Sequence, residues 1–218
     1  VSSDGPVGRP HALLLDLDGT LVDSEPIHRA GFERWFAHRG WPFDPEVAAL
    51  FTGRRADDVF RTVDGPWSGG DPDAMFAEIV AMVPRDRLPD AVPGAAETIE
   101  RAAVAGIPLA LVTSASVRWA DKALATLGGL GRFDVVVTRD DVTVGKPDPS
   151  CYALACDRLG VDAGATLACE DAPNGVLSAV GAGVGTVVGV TTSFSGQALR
   201  EAGASTTMGD LTGIPSLL

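Results

Sequence analysis

The sequence predicts an α/β fold: a doubly wound parallel core with an α-helical cap domain inserted after its first strand. Three observations predict it. Five short apolar runs are nearly continuous rather than alternating, which suits strands buried on both faces. Helical stretches alternate with the last four of them. Between the first run and the first of those helices, about seventy residues carry helical pattern and no convincing strand.

The runs, in order, are His11–Leu17, Ile107–Thr113, Asp134–Thr138, Ala165–Cys169 and Gly185–Val190. The intervening helices read as Ala95–Ala105, Val117–Leu127, Pro149–Leu159 and Pro173–Ala182, each stopped by a following glycine. Inside the insert, helices are expected over Pro26–Arg39, Pro45–Phe51, Ala56–Val63 and Asp73–Val83. Turns at Gly40, Gly53, Gly65-Pro66 and Gly69-Gly70 separate them. Pro84–Pro93 serves as the return linker. The expected division is therefore 1–23 with 92–218 as the catalytic core, and 24–91 as the cap. Trp35, Trp41 and Trp67 are expected to form the cap's own core. The tail, Leu211–Leu218, predicts nothing.

Composition narrows the function. The chain has 218 residues, 45% hydrophobic and 21% charged, as an ordinary globular protein does, and no run is long enough to cross a bilayer. Val1–Pro10 is polar and Gly/Pro-rich, unlike a signal peptide, so a cytoplasmic protein is expected; a monomer is expected as well. A net charge of -12 argues against nucleic acid and anionic membranes as partners. The three cysteines lack metal-type spacing and read as reduced, buried thiols. Fifteen of the seventeen basic residues are arginine; the two lysines are Lys122 and Lys146.

In open α/β sheets, ligands bind beyond the carboxyl ends of the strands. The first run ends in Asp16-Leu17-Asp18-Gly19-Thr20. Two carboxylates so close repel unless a cation sits between them, and an Asp can attack phosphorus as a covalent nucleophile. The second run ends in Thr113-Ser114, whose hydroxyls can donate to a phosphoryl oxygen or merely make a turn. After the third comes Gly145-Lys146-Pro147-Asp148-Pro149, where Lys146 can screen the carboxylates and hold phosphate as a point charge. The fourth ends in Glu170-Asp171, a second acidic pair of hard oxygen ligands suited to Mg²⁺. Asp171 can also cap the helix that follows.

These segments, DLDGTLVDSE, LVTSAS, GKPDPS and CEDAPNG, resemble the haloacid dehalogenase-like superfamily in order and over nearly the whole chain. The insertion point resembles the subgroup with a small helical cap on a Rossmann-like core, which includes sugar-phosphate phosphatases, phosphoglycolate phosphatases and β-phosphoglucomutases. The resemblance implies a Mg²⁺-dependent phosphatase acting on a small phosphorylated metabolite through an aspartyl-phosphate. It implies Asp16 as nucleophile, Asp18 as acid and then base, Thr113 with the backbone around Ser114 as phosphate holder, and Lys146 as the cation on Asp16. Counting as in the mutases selects Ser114 instead of Thr113. Mg²⁺ would be held by Asp16, the Asp18 carbonyl and Asp171, with Glu170 as a further ligand. Glu25, His28, Arg54 and Arg55 are the candidate substrate contacts from the cap. Asp18 argues against a dehalogenase, and the lack of lysine between Ser24 and Ala91 argues against a Schiff-base phosphonate hydrolase. A β-phosphoglucomutase-like phosphotransferase is the enzyme alternative, although the mutase cap lysine is missing. A catalytically inactive binding protein on the same fold is the alternative of another class.

Overall fold

The computed structural model describes residues 9–51, 54–84 and 86–218. The chain begins with β1 (Leu13–Leu15) and β2 (Val22–Asp23), then runs through α1 (Glu25–Arg39), α2 (Pro45–Phe51), α3 (Ala56–Thr62) and α4 (Pro72–Met82). It returns by β3 (Asp90–Ala91). Then follow α5 (Ala95–Ala105), β4 (Leu109–Val112), α6 (Val117–Ala123), β5 (Val135–Val137) and α7 (Ser150–Leu159). The last elements are β6 (Leu167–Glu170), α8 (Pro173–Gly181), β7 (Thr186–Val190), α9 (Gly196–Glu201) and β8 (Thr206–Met208).

Six strands form one parallel sheet in the order β5-β4-β1-β6-β7-β8. Its two faces explain the continuous apolar runs. Side chains alternate across a strand, so Leu13, Leu15, Leu109, Leu111, Leu167 and Cys169 enter one apolar cluster with α5 and α6. Leu14, Ala110, Val112 and Ala168 enter the other, with α7, α8 and α9. A strand that must be apolar on both faces has no alternation to show. Cys151, Cys156 and Cys169 are buried and free, as expected.

Helices α1 to α4 pack around their own cluster, which includes Trp35, Phe36, Phe51, Phe60 and Trp67, with Trp41 at its edge. Trp35 also donates its indole N–H to Glu78 at 2.7 Å, which satisfies the polar tip of an otherwise buried ring.

The structure departs from the sequence expectations in four places. The region between the first sheet strand and α5 is not strand-free, because β2 and β3 pair antiparallel, with Val22 opposite Ala91 and Asp23 opposite Asp90. Two residues per strand are too few to leave a periodic signal. The expected helix over Val117–Leu127 stops at Ala123 and continues as a 3-10 turn, Ala125–Leu127. Beyond β7, α9 and β8 add a helix and an edge strand the apolar runs do not announce. The tail buries Leu211 and Ile214 in the core beside α5. The expected turn at Gly53, and residues 1–8 of the N-terminal stretch, lie outside the described residues. Among the described residues, no helix is long and apolar enough to cross a membrane.

Candidate active site

The carboxyl ends of β1, β4 and β6 point into one cavity of about 670 Å³ beneath the inserted helices. It is lined by Asp16, Asp18, Thr113, Ser114, Lys146, Glu170 and Asp171 from the sheet side, and by Glu25, His28, Arg54 and Arg55 from the insert. Every candidate residue named from the sequence therefore borders the same space, although they span most of the chain.

Lys146 organises its floor. Its ammonium donates to Asp16 Oδ1 at 2.7 Å, Glu170 Oε1 at 2.5 Å and the Val112 carbonyl at 2.9 Å. Burial alone would lower the pKa of this amine; the Asp16 and Glu170 carboxylates more than offset that and hold it above its ordinary value. Tyr152, from α7, donates its hydroxyl to the same Glu170 oxygen at 2.6 Å. Burial, with the negative charge of Glu170, pushes the Tyr152 phenol well up, so it stays a donor.

The acidic side is crowded. One ligand oxygen each of Asp16, Glu170 and Asp171 lies within 4.8 Å of the others, and all three residues are buried. Burial pushes the Asp16 carboxyl well above its ordinary value; Lys146 opposes the shift, while Glu170 and Asp171 add to it. Asp171 is raised to about 7, by burial first and by Glu170 next. Three carboxylates against one ammonium leave excess negative charge where water cannot screen it. Hard oxygens at this spacing fit a divalent cation such as Mg²⁺, which would relieve that repulsion. Asp171 does not cap α8, since the N-cap is Ala172 and no side chain caps it. Its carboxylate is left for the cavity.

Two glycines make this packing possible. A Cβ on Gly19, whose φ is +82°, would meet an Asp171 carboxylate oxygen at 2.0 Å. One on Gly175, in the first turn of α8, would meet the Glu170 carboxylate at the same distance. The loops can bring carboxylates against backbone only where no side chain intervenes.

Asp18 sits differently. Its Oδ1 accepts from the indole N–H of Trp119 at 2.8 Å, and His28 Nε2 lies 3.2 Å from the same atom. Trp119 and His28 also pack ring to ring, 4.7 Å between centroids. Burial would raise the Asp18 carboxyl; hydrogen bonds from His28, Ser24 and Trp119 outweigh it and hold the group below its ordinary value. Thr113 is buried and its hydroxyl accepts from the Ala115 amide at 3.0 Å, while Ser114 is partly exposed beside it. Both reach the cavity.

The insert residues divide. His28 touches Asp18. Glu25 is half-exposed at the rim near Arg29, 3.7 Å away. Arg54 donates to Thr62 at 3.0 Å. Arg55 is not a solvated loop residue: it donates to the buried Asp57 at 2.9 Å and lies against Gly145, next to Lys146. Asp57 also accepts from Arg61 at 2.9 Å and from Arg139, on the sheet side, at 3.3 Å. Trp119, Ser193, Tyr152, Asp57 and Arg139 escaped the sequence reading. Ser193 hydrogen-bonds Asp171.

Comparison with known proteins gives the family and the fold. A family model described as haloacid dehalogenase-like hydrolase matches residues 10–183. Validoxylamine A 7'-phosphate phosphatase of Streptomyces hygroscopicus subsp. limoneus is 40% identical over 191 residues, covering 87% of this chain and 89% of that protein. Hexitol phosphatase A of Escherichia coli is 36% identical over 177 residues, covering 80% and 81%. Among solved structures, a CbbY mutant from Rhodobacter sphaeroides in complex with xylulose-(1,5)bisphosphate superposes with a TM-score of 0.77 at 28% identity, covering 93% of this chain and 95% of that one.

Proposed function

The chain belongs to the haloacid dehalogenase-like hydrolases and is a phosphoric monoester hydrolase, and from that premise we propose that it is a Mg²⁺-dependent phosphatase of a small phosphorylated sugar or sugar-like metabolite, working through an aspartyl-phosphate on Asp16. The observation that carries this reading is the buried set of Asp16, Lys146, Glu170 and Asp171 at the strand ends, with Asp18 two residues from the nucleophile.

Asp16, Glu170 and Asp171, together with the Asp18 carbonyl, would hold the metal, which would supply positive charge against the phosphoryl oxygens. Lys146 fixes the Asp16 carboxylate and opposes the upward shift that burial and the neighbouring acids impose on it. Thr113 and the amides around Ser114 hold the phosphoryl group in line. The Asp16 carboxylate attacks phosphorus, the bond from phosphorus to the leaving oxygen breaks, and Asp18 donates its proton to that oxygen. Asp18, now a carboxylate, takes a proton from water, which attacks the aspartyl-phosphate. Inorganic phosphate leaves and Asp16 is regenerated. Before substrate arrives, His28 and Trp119 hold Asp18 as an anion; the charge of the entering phosphate opposes that bias and favours the acid.

Residues 24–91 act as a lid that selects substrate, with His28, Arg54 and Arg55 on its inner side and Glu25 at its rim. The names of the relatives support a sugar-like substrate. A phosphotransferase reading gains nothing from the insert, which brings no lysine to the cavity. The test is phosphate release from a panel of phosphorylated sugars and polyols with Mg²⁺, with and without Asp16→Asn. Turnover that depends on Asp16, with covalent phosphate trapped by acid quench, supports the reading. Undiminished turnover by Asp16→Asn overturns it.

A further inference from the structure

The insert presents two kinds of surface to the cavity. Its polar groups collect at one end, where the start of α1 and the loop before α3 approach Asp18 and Lys146. Its other residues in the cavity wall include Phe32 from α1, Phe43 from the following loop, and Phe76, Val80 and Val83 from α4 and its end; of these, Phe76 lies under the Arg139 guanidinium. On α4, Phe76 and Val80 fall at i and i+4, one face of a helix, and Val83 follows as its C-cap in extended backbone. The neighbouring positions Met75 and Ile79 already supply the buried cluster. Val80 is left 50% exposed on the cavity side. A residue stripe with this period normally faces a protein core; here part of it faces a space that opens on the catalytic carboxylates. The cavity's size points the same way. At about 670 Å³ it falls within the range of about 300–1,000 Å³ that encloses drug-sized ligands, well beyond one hexose ring and its phosphate.

We propose that this wall is a second substrate subsite, and that the preferred substrate is a sugar phosphate carrying a further ring-sized, apolar-faced group on the side away from the phosphate. The proposal rests on the phosphatase reading and deepens it. The phosphate and the first ring's hydroxyls meet Lys146, Thr113 and the polar start of α1. The second group leaves water against Val80, Val83 and Phe43. A plain hexose phosphate leaves that wall wet and gains nothing from it.

Glucose 6-phosphate and phenyl β-glucoside 6-phosphate share the phosphoryl end and differ in the second group. The wild-type protein is expected to show about tenfold higher kcat/KM for the phenyl glucoside ester, a factor consistent with burying one ring face. Val80→Asn, at a half-exposed position, is expected to remove most of that preference and leave glucose 6-phosphate within about twofold of wild type, the scatter expected of a surface substitution. Equal kcat/KM for the two esters, or a Val80→Asn loss that is the same for both, overturns the subsite while leaving the phosphatase reading intact. Calorimetric titration of Asp16→Asn with both esters gives a readout independent of turnover. Tighter binding of the phenyl glucoside ester supports the subsite, and equal binding overturns it, even if failure of all turnover has already removed the phosphatase reading.

Discussion

At the scale of single residues, the two aspartates at the end of β1 differ by their partners. Asp16 is held by Lys146, whereas Asp18 is held by Trp119 and His28. Asp16→Asn is expected to abolish turnover and covalent phosphate for every ester. Asp18→Asn keeps the nucleophile, so p-nitrophenyl phosphate, whose leaving group needs no proton, is expected to release about one equivalent of p-nitrophenol and then stall. Rapid mixing with acid-quenched phosphate analysis reads both; continuous wild-type turnover by Asp18→Asn contradicts the acid/base assignment. Trp119→Phe deletes one N–H donor and keeps the ring beside His28. It is expected to cut kcat/KM for a sugar phosphate about tenfold, the worth of one hydrogen bond to a charged group, and to affect p-nitrophenyl phosphate much less. The acidic cluster also predicts a pH effect. Asp171 is raised to about 7 and Asp16 is raised in the same direction, so in metal-free protein the stability Asp171 contributes is complete at low pH and is lost as pH rises through about 7, with Asp16 acting in the same sense. Melting temperature in EDTA should fall from pH 5 to 8, and Asp171→Asn should flatten the slope; a flat wild-type profile contradicts it. The carboxylates were legible because each sits in a short local pattern at a strand end, and Lys146 because it sits in the short Gly145–Pro149 pattern of the loop after β5. Trp119 was not, because its partner lies 101 residues away and only the fold brings them together.

At the scale of elements, the contact between α3 and the sheet runs through Asp57. This buried carboxylate is shared by Arg55, Arg61 and Arg139, and its surrounding hydrogen bonds outweigh burial and hold it below its ordinary value. Arg139 also lies over the Phe76 ring, 4.4 Å from its centre. It therefore holds both α3 and α4 against the core side. Arg139→Gln is expected to leave the sheet intact and to speed hydrogen exchange in α3, with a several-fold higher KM for a sugar phosphate and little change for p-nitrophenyl phosphate. Unchanged exchange in α3 contradicts this coupling. The long elements were legible because burial on both faces writes continuous apolar runs. Short elements were not: β8 offers Thr206-Thr207-Met208 at a sheet edge, and its pairing with β7 is a tertiary fact rather than a local one.

At the scale of the whole molecule, the proposed dependence on a divalent ion rests on the buried cluster of Asp16, Glu170 and Asp171. Exhaustive EDTA treatment is expected to abolish turnover and Mg²⁺ to restore it; Ca²⁺ is expected to inhibit, because it prefers more ligands and looser geometry. Full turnover after EDTA contradicts the metal requirement. The layered α/β architecture was legible at this scale, whereas the burial of Leu211 and Ile214 was not, since two apolar residues in a short tail form no pattern. The β2–β3 pair carries a last consequence. Asp23 and Asp90 face each other across it, so the whole excursion between them leaves and re-enters the core at neighbouring points. In chain-connectivity terms it is an enlarged hairpin turn. Its length and sequence can change without moving the strands of the main sheet, because the closing entropy grows only slowly with loop length. The same catalytic base can thus be refitted with different recognition heads, and a short Asn-Gly turn joining residues 23 and 90 should give a folded core open to bulky esters.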